Sequence, residues 1–251
     1  KTSFDHPCTG QPVFAICDPP HMAKNVRNML VEYGELVWPG MGKVKFEFIK
    51  KLNDLQEEHG LRLGNKLTRK HISFEKNKMK VKYAVQLMSD SVARSLKYAH
   101  ENGLPGFEHA QDVLTTAKFL ELHDQVFDIL NSRSMFSSKS LRAAISPSNI
   151  NQAETVFHQF IEMYKILERT DHVRVTISLR RTGPLGFIAC IKSIRQMVEL
   201  MASGALQLDY LRTYKLNQDH LEMCFGGNET FHAIGILSGN RCKVSHMKFI
   251  Q

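Results

Sequence analysis

Apolar positions along the chain change period near residue 45. Pro12-Val13-Phe14-Ala15-Ile16-Cys17 is a nearly continuous apolar run, the pattern of a short strand covered on both faces. It stops at Asp18, and the following Pro19-Pro20 cannot extend a sheet ladder. A helix is predicted from His21 to Leu30, with Pro20 near its first turn, where a missing N–H is harmless. From Lys45 the period is helical. An amphipathic helix is predicted over 45–59, stopping at Gly60. A second is predicted over 78–100, where Val81, Val85, Met88, Val92, Leu96 and Ala99 form one apolar stripe ending at Asn102-Gly103. Three more are predicted over 108–131, 151–168 and 185–202, with Asn149 or Asn151 placed to cap the middle one and Gly204 closing the last. Residues 174–179 alternate with β-branched positions and read as a short strand. A final helix is expected from Leu216 to Phe225, before Gly226-Gly227. The chain shows no internal repeat and no low-complexity segment.

One strand cannot form a stable sheet alone. The first segment and the last helix are therefore expected to belong to a sheet whose other strands lie upstream of Lys1, with the helical block inserted into it. The chain also begins without Met and reads as a fragment of a longer protein. The expected fold class is α/β and mostly helical.

Composition excludes several classes. At 251 residues and 43% apolar content the chain can bury a large core, so wholesale disorder is excluded. Five cysteines, odd in number and never in a Cys-x-x-Cys pair, argue against a disulfide scaffold or zinc knuckle. No apolar run reaches the roughly 20 residues that span a bilayer, so no membrane partner is expected. The net charge is +8, and nearly all of it sits in one window. Arg62, Lys66, Arg69, Lys70, Lys76, Lys78, Lys80 and Lys82 are opposed there by Glu75 alone. Such a window attracts phosphate, although a solvated helix face has the same composition.

The chemical candidates are few. Gly40-Met41-Gly42-Lys43-Val44 resembles the end of a phosphate-binding loop. Val37 stands where the first glycine belongs, and Val44 where magnesium would need a hydroxyl, so it is not a Walker A motif. Asp219 and Glu222 share one face of the last predicted helix, and with the strand-end Asp18 they could hold a divalent cation. Asp18 could equally cap the helix after it, and two carboxylates on a helix usually face water. Phe127, Asp128 and Asn131 are neighbours on one helical surface. A ring to stack on and a carboxylate to accept adjacent N–H donors suit guanine, and adenine lacks that donor pair. A core Phe beside surface Asp and Asn has the same spacing. No histidine pair has metal-binding spacing, and no nucleophile elbow is present.

Asp18-Pro19-Pro20-His21-Met22-Ala23-Lys24-Asn25-Val26-Arg27-Asn28 resembles the D-x-x-H-x-x-K-x-x-R-N segment of P-element-type transposases and their THAP-domain relatives. Three further segments are similar to the same family: residues 78–89, Thr182-Gly183-Pro184-Leu185-Gly186-Phe187-Ile188, and Lys215-Leu216-Asn217-Gln218-Asp219-His220-Leu221-Glu222. The resemblance implies an incomplete RNase H-like fold interrupted by a large α-helical GTP-binding insertion domain. The implied division is an RNase H-like first part over 1–48, the insertion over 49–212, and a returning helix with a divergent tail over 213–251. It also implies Mg²⁺-dependent DNA transposition in the nucleus by a homo-oligomer, with transposon-end and target DNA as partners. By position, Asp18 and Glu222 would be catalytic, metal-binding carboxylates. Lys66, Val81, Ser89, Phe127, Asp128, Asn131 and Asp219 would bind GTP.

The sequence departs from the family in two ways. The first catalytic aspartate belongs on an upstream strand, and the run after Gly227 lacks the family's Arg- and Asn-rich continuation. Catalysis by the fragment alone is not expected. The competing reading is a domesticated, non-catalytic nuclear DNA-binding or scaffold protein. A GTPase switch is disfavoured by the missing phosphate loop.

Overall fold

The computed structural model of the chain describes residues 2–60 and 62–218. In chain order the strands are β1 (Ser3–Asp5), β2 (Pro12–Phe14), β3 (Glu35–Trp38), β4 (Gly42–Lys45) and β5 (Glu168–Arg169). The helices are α1 (Pro19–Tyr33), α2 (Phe46–Glu58), α3 (Arg69–Ile72), α4 (Phe74–Asn77), α5 (Val81–Leu87), α6 (Asp90–Glu101), α7 (Ala110–Leu130), α8 (Ile150–Ile166) and α9 (Thr182–Ala202). The chain is thus mostly helical with small sheets, as its periodicity predicts.

The long helix α7 organises the core. Phe119, Leu120, Leu122 and Val126 on it are fully buried, as are Leu96 on α6, Phe157 and Phe160 on α8, and Val26 on α1. Its outer turns also close a sheet edge. Asp112 Oδ1 accepts from Lys43 N at 2.9 Å and Thr116 Oγ1 from Lys45 N at 3.0 Å. Side chains of a helix thereby satisfy edge donors of β4 that would otherwise be open to another strand.

Three sequence expectations change. The strand expected over 12–17 is only β2, a partly exposed strand paired antiparallel with β1. Residues 15–17 lie instead along α9, where Ser193 Oγ donates to Ala15 O at 2.7 Å and Cys190 Sγ to Cys17 O at 3.0 Å. The helix expected over 78–100 is two helices, α5 and α6, parted at Met88 and Ser89. Ser89 takes extended angles as the N-cap of α6 and donates its hydroxyl to Gln86 O at 2.9 Å. Serine competes in this way with the helical backbone, yet the apolar stripe runs on across the break. The strand expected over 174–179 is a 3-10 turn, Val175–Ile177. The phosphate-loop look-alike at residues 40–44, which its sequence already excludes as a Walker A motif, belongs to a hairpin. β3 pairs with β4 around a turn in which Gly40 and Gly42 take φ of 78° and 127°, and β5 adds to the other edge of β3.

The segment Thr182–Ile188 starts α9 and works by packing. A Cβ placed on Gly183 would lie 2.9 Å from the backbone N of Val26, so the glycine lets α9 meet the backbone of α1. Gly183→Val is expected to cost about 2–3 kcal/mol, because the helices must separate. Chemical denaturation should show an earlier midpoint with an unchanged slope.

Candidate functional site

Asp18 is the N-cap of α1, its Oδ2 accepting from His21 N at 3.2 Å with the His21 ring 3.6 Å away. It is 6% exposed. Capping, the plainer of the two sequence readings, is therefore present. Glu222 and Asp219 lie outside the described residues. Among the described residues no three carboxylate, imidazole or thiol groups gather as metal ligands, and no helix is long and apolar enough to cross a membrane.

At the end of the D-x-x-H-x-x-K-x-x-R-N segment, Arg27 and Asn28 are structural. Arg27 is fully buried; its Nε donates to Asn28 Oδ1 at 2.8 Å, and its Nη2 to the carbonyls of Asn77 and Lys78 at 3.3 and 3.0 Å. Burial lowers its pKa to about 10, so it stays charged at neutral pH. The guanidinium fork thus pins the later part of the basic stretch to α1. In that stretch Arg62, Lys66, Arg69, Lys70, Lys78, Lys80 and Lys82 are all exposed, a cationic face toward solvent.

The second candidate group sits where α7 ends. Phe127 is half-buried and lines a small cavity of about 10 Å³ together with Asp124, His123 and Met88. That volume holds about one water. The Asp128 carboxylate is held by Arg142, Nε to Oδ2 at 2.7 Å. Asn131 is the C-cap of α7, and its Oδ1 accepts from Asn217 Nδ2 at 2.8 Å. Asn217 in turn lies two residues before Asp219. Phe127, Asp128 and Asn131 therefore do share one corner, as their spacing predicts.

Sequence reasoning missed Asp124, one turn before Asp128. Its carboxylate faces the backbone of Asp90 at the start of α6, which packs against α7. Burial first, and then the charge of Asp128, raise the Asp124 pKa to about 6. Three carboxylates, those of Asp90, Asp124 and Asp128, therefore crowd one corner with Arg142 among them. The signal for Asp124 is burial, which its position in the sequence does not carry. His123, by contrast, is fixed at both nitrogens, to Phe119 O and Tyr164 Oη at 2.7 Å each, and burial lowers its pKa to about 4. It is a neutral core residue.

Of the remaining candidates, Val81 opens α5 half-buried, and Lys66 is exposed in the loop before α3. Lys66 forms no ion pair with a described residue. The loop is tied to α6 by Asn65, whose Nδ2 donates to Ser95 Oγ at 2.8 Å. A more open depression of about 550 Å³ lies at the β3–β4 hairpin, but its lysines are spoken for. Lys43 pairs with Glu35 at 2.8 Å and Lys45 with Asp112 at 2.7 Å.

The Asp124 geometry carries a sign for stability. A carboxyl whose folded pKa is raised from 3.8 to about 6 loses stability as pH rises through that interval. Asp124→Asn is expected to stabilise the fold at pH 7 by about 2 kcal/mol, after discounting for partial exposure. The gain should vanish below pH 4, as thermal melts at the two pH values would show.

Comparison with known proteins places the chain in a family. Residues 20–144 match the family "TNP-like, GTP-binding insertion domain", a range that starts inside α1 and takes in α7 whole. The chain is 26% identical over 225 residues to DNA transposase THAP9 of Homo sapiens, covering 89% of this chain and 24% of that protein. It is 28% identical over 233 residues to the Transposable element P transposase of Drosophila melanogaster, covering 90% and 29%. It superimposes on the Drosophila P element transposase strand transfer complex with a TM-score of 0.75 at 26% identity, covering 90% of this chain and 49% of that one. The chain spans 24% and 29% of the length of these two relatives. Sequence and fold together place the chain among the P-element-type transposases, whose GTP-binding insertion domain its residues 20–144 match.

Proposed function

We propose that the corner at the end of α7 receives the base of GTP, and that the chain serves a longer protein that mobilises DNA. The observation that carries this reading is the Asp128 carboxylate, fixed by Arg142 beside the half-buried ring of Phe127. Guanine offers N1–H and N2–H₂ as adjacent donors, which a fixed carboxylate accepts as a pair. The crowding of Asp124 against Asp128 favours such a donor-rich ligand, because its N–H groups offset like-charge repulsion. The cavity beside Phe127 holds only a water, so the base stacks at its mouth. Lys66, Val81, Ser89 and Asp219 complete the nucleotide site in this reading, and the exposed basic stretch draws the triphosphate. With no glycine-rich phosphate loop in the sequence, and no group among the described residues arranged to attack the γ-phosphate, the nucleotide is structural in this reading.

DNA enters as the second partner, both transposon ends and target, with the protein acting as a homo-oligomer in the nucleus. The division at 1–48, 49–212 and 213–251 belongs to this reading. So does Mg²⁺-dependent cleavage and joining of DNA in the intact protein, with Asp18 and Glu222 among its carboxylates. The described residues assemble no cation site at Asp18, so no chemical step is derived through the metal. The alternative, a domesticated non-catalytic DNA-binding or scaffold protein, needs the basic stretch but neither carboxylate. The two part on strand cleavage by the longer protein. Salt-dependent DNA binding without cleavage selects the alternative.

The experiment for the nucleotide half is equilibrium binding of GTP and ATP to this 251-residue chain. GTP should bind at least about tenfold more tightly, the yield of one or two well-made polar contacts. Equal affinity would remove the reading.

A further inference from the structure

We propose that Cys17 and Cys190 form an oxidisable thiol pair, a modification site that closes to a disulfide when the protein meets a small-molecule disulfide. Cys190 lies on α9 and is 1% exposed, whereas Cys17 is half-buried and within reach of a small oxidant. The Cys190 thiol donates to the Cys17 carbonyl oxygen at 3.0 Å, and the two thiols are close enough to influence each other's ionisation. The approach is held on both sides. One turn before Cys190, a Cβ on Gly186 would lie 3.4 Å from the Cys17 Cβ; one turn after Cys190, Ser193 Oγ donates to Ala15 O at 2.7 Å. A disulfide needs Cβ atoms about 4 Å apart, so bonding asks for side-chain rotation more than backbone movement.

The accessible thiol reacts first. The Cys17 sulfur, as thiolate, attacks one sulfur of the small disulfide, and the other leaves as a thiolate. Cys190 then gives its proton to a departing thiolate and attacks the Cys17 sulfur, displacing the second small thiol. Two protein thiols lose two electrons and two protons, and one small disulfide becomes two thiols. The new bond ties α9 to the residue before Asp18, the N-cap of α1. Oxidation thus reaches the helix start where a candidate catalytic carboxylate sits.

The test uses the full chain with Cys8, Cys224 and Cys242 replaced by serine, so that only this pair remains. It is incubated folded with oxidised glutathione, alkylated, and read by intact mass and peptide mapping. The expected product has lost two hydrogen masses, takes up no alkylating agent, joins the peptides of Cys17 and Cys190, and reverts with dithiothreitol. With Cys190→Ser added, the reaction should stop at a mixed disulfide on Cys17. A parent protein that stays fully reduced, or that ends as the mixed disulfide without the crosslink, would overturn the proposal.

Discussion

Asp128→Ala is expected to weaken GTP binding about 100-fold while leaving ATP binding nearly unchanged. Two charge-assisted hydrogen bonds from guanine contribute about 3 kcal/mol between them, and about 1.4 kcal/mol is tenfold in affinity. ATP has no donor pair to lose there. The fold should tolerate the change. The Arg142–Asp128 pair has a half-exposed arginine, worth about 1 kcal/mol or less, and removing Asp128 also relieves Asp124 of a like charge. A binding isotherm alongside a thermal melt separates the two effects. If GTP and ATP affinities fall together, the carboxylate does not read the base.

Arg27→Met should have the largest effect on the fold, about 3–5 kcal/mol. The substitution keeps an unbranched chain in the core but removes the donors to Asn28 Oδ1 and to the carbonyls of Asn77 and Lys78. A buried acceptor left without a donor costs about 1–3 kcal/mol. Arg27→Lys keeps the charge but cannot reproduce the planar fork, and should recover only part of the loss. Hydrogen exchange should locate the damage: amides around α4 and α5 lose protection first, since Arg27 joins that stretch to α1. A melt unchanged from the parent protein would show that the guanidinium is not the latch.

Both predictions rest on residues whose roles were unequally legible. The stripe Val81–Ala99 identified a buried helical face correctly, because periodicity reports burial whether or not the helix is continuous. It did not register the break at Ser89, which comes from one hydroxyl competing with the backbone. The spacing of Phe127, Asp128 and Asn131 placed them together because all three lie on the last turn and cap of one helix. Asp124 escaped notice because burial and the approach of Asp90 mark it, and only tertiary packing supplies those.

Long-range pairings were opaque for the same reason. Nothing near Ala15 or Cys17 announces that Ser193 and Cys190 take their carbonyls, so an apolar run became a strand in expectation and an α9-bound segment in the fold. The Gly40–Gly42 pair invited a phosphate-loop reading, although positive φ at a hairpin also demands glycine. Arg27 and Gly183 lie within segments that resemble the family. The contacts of the Arg27 side chain show latching and the close approach at Gly183 shows packing, which a motif cannot distinguish from chemistry.

The most direct measurement of the central claim is the affinity of the unmodified chain for three nucleotides, GTP, ITP and ATP, under one set of conditions. Inosine keeps N1–H but lacks the 2-amino group, so a carboxylate accepting both donors gives the order GTP, then ITP about tenfold weaker, then ATP weaker still. Three equal affinities, or ITP binding as tightly as GTP, would contradict a guanine-reading carboxylate at the end of α7.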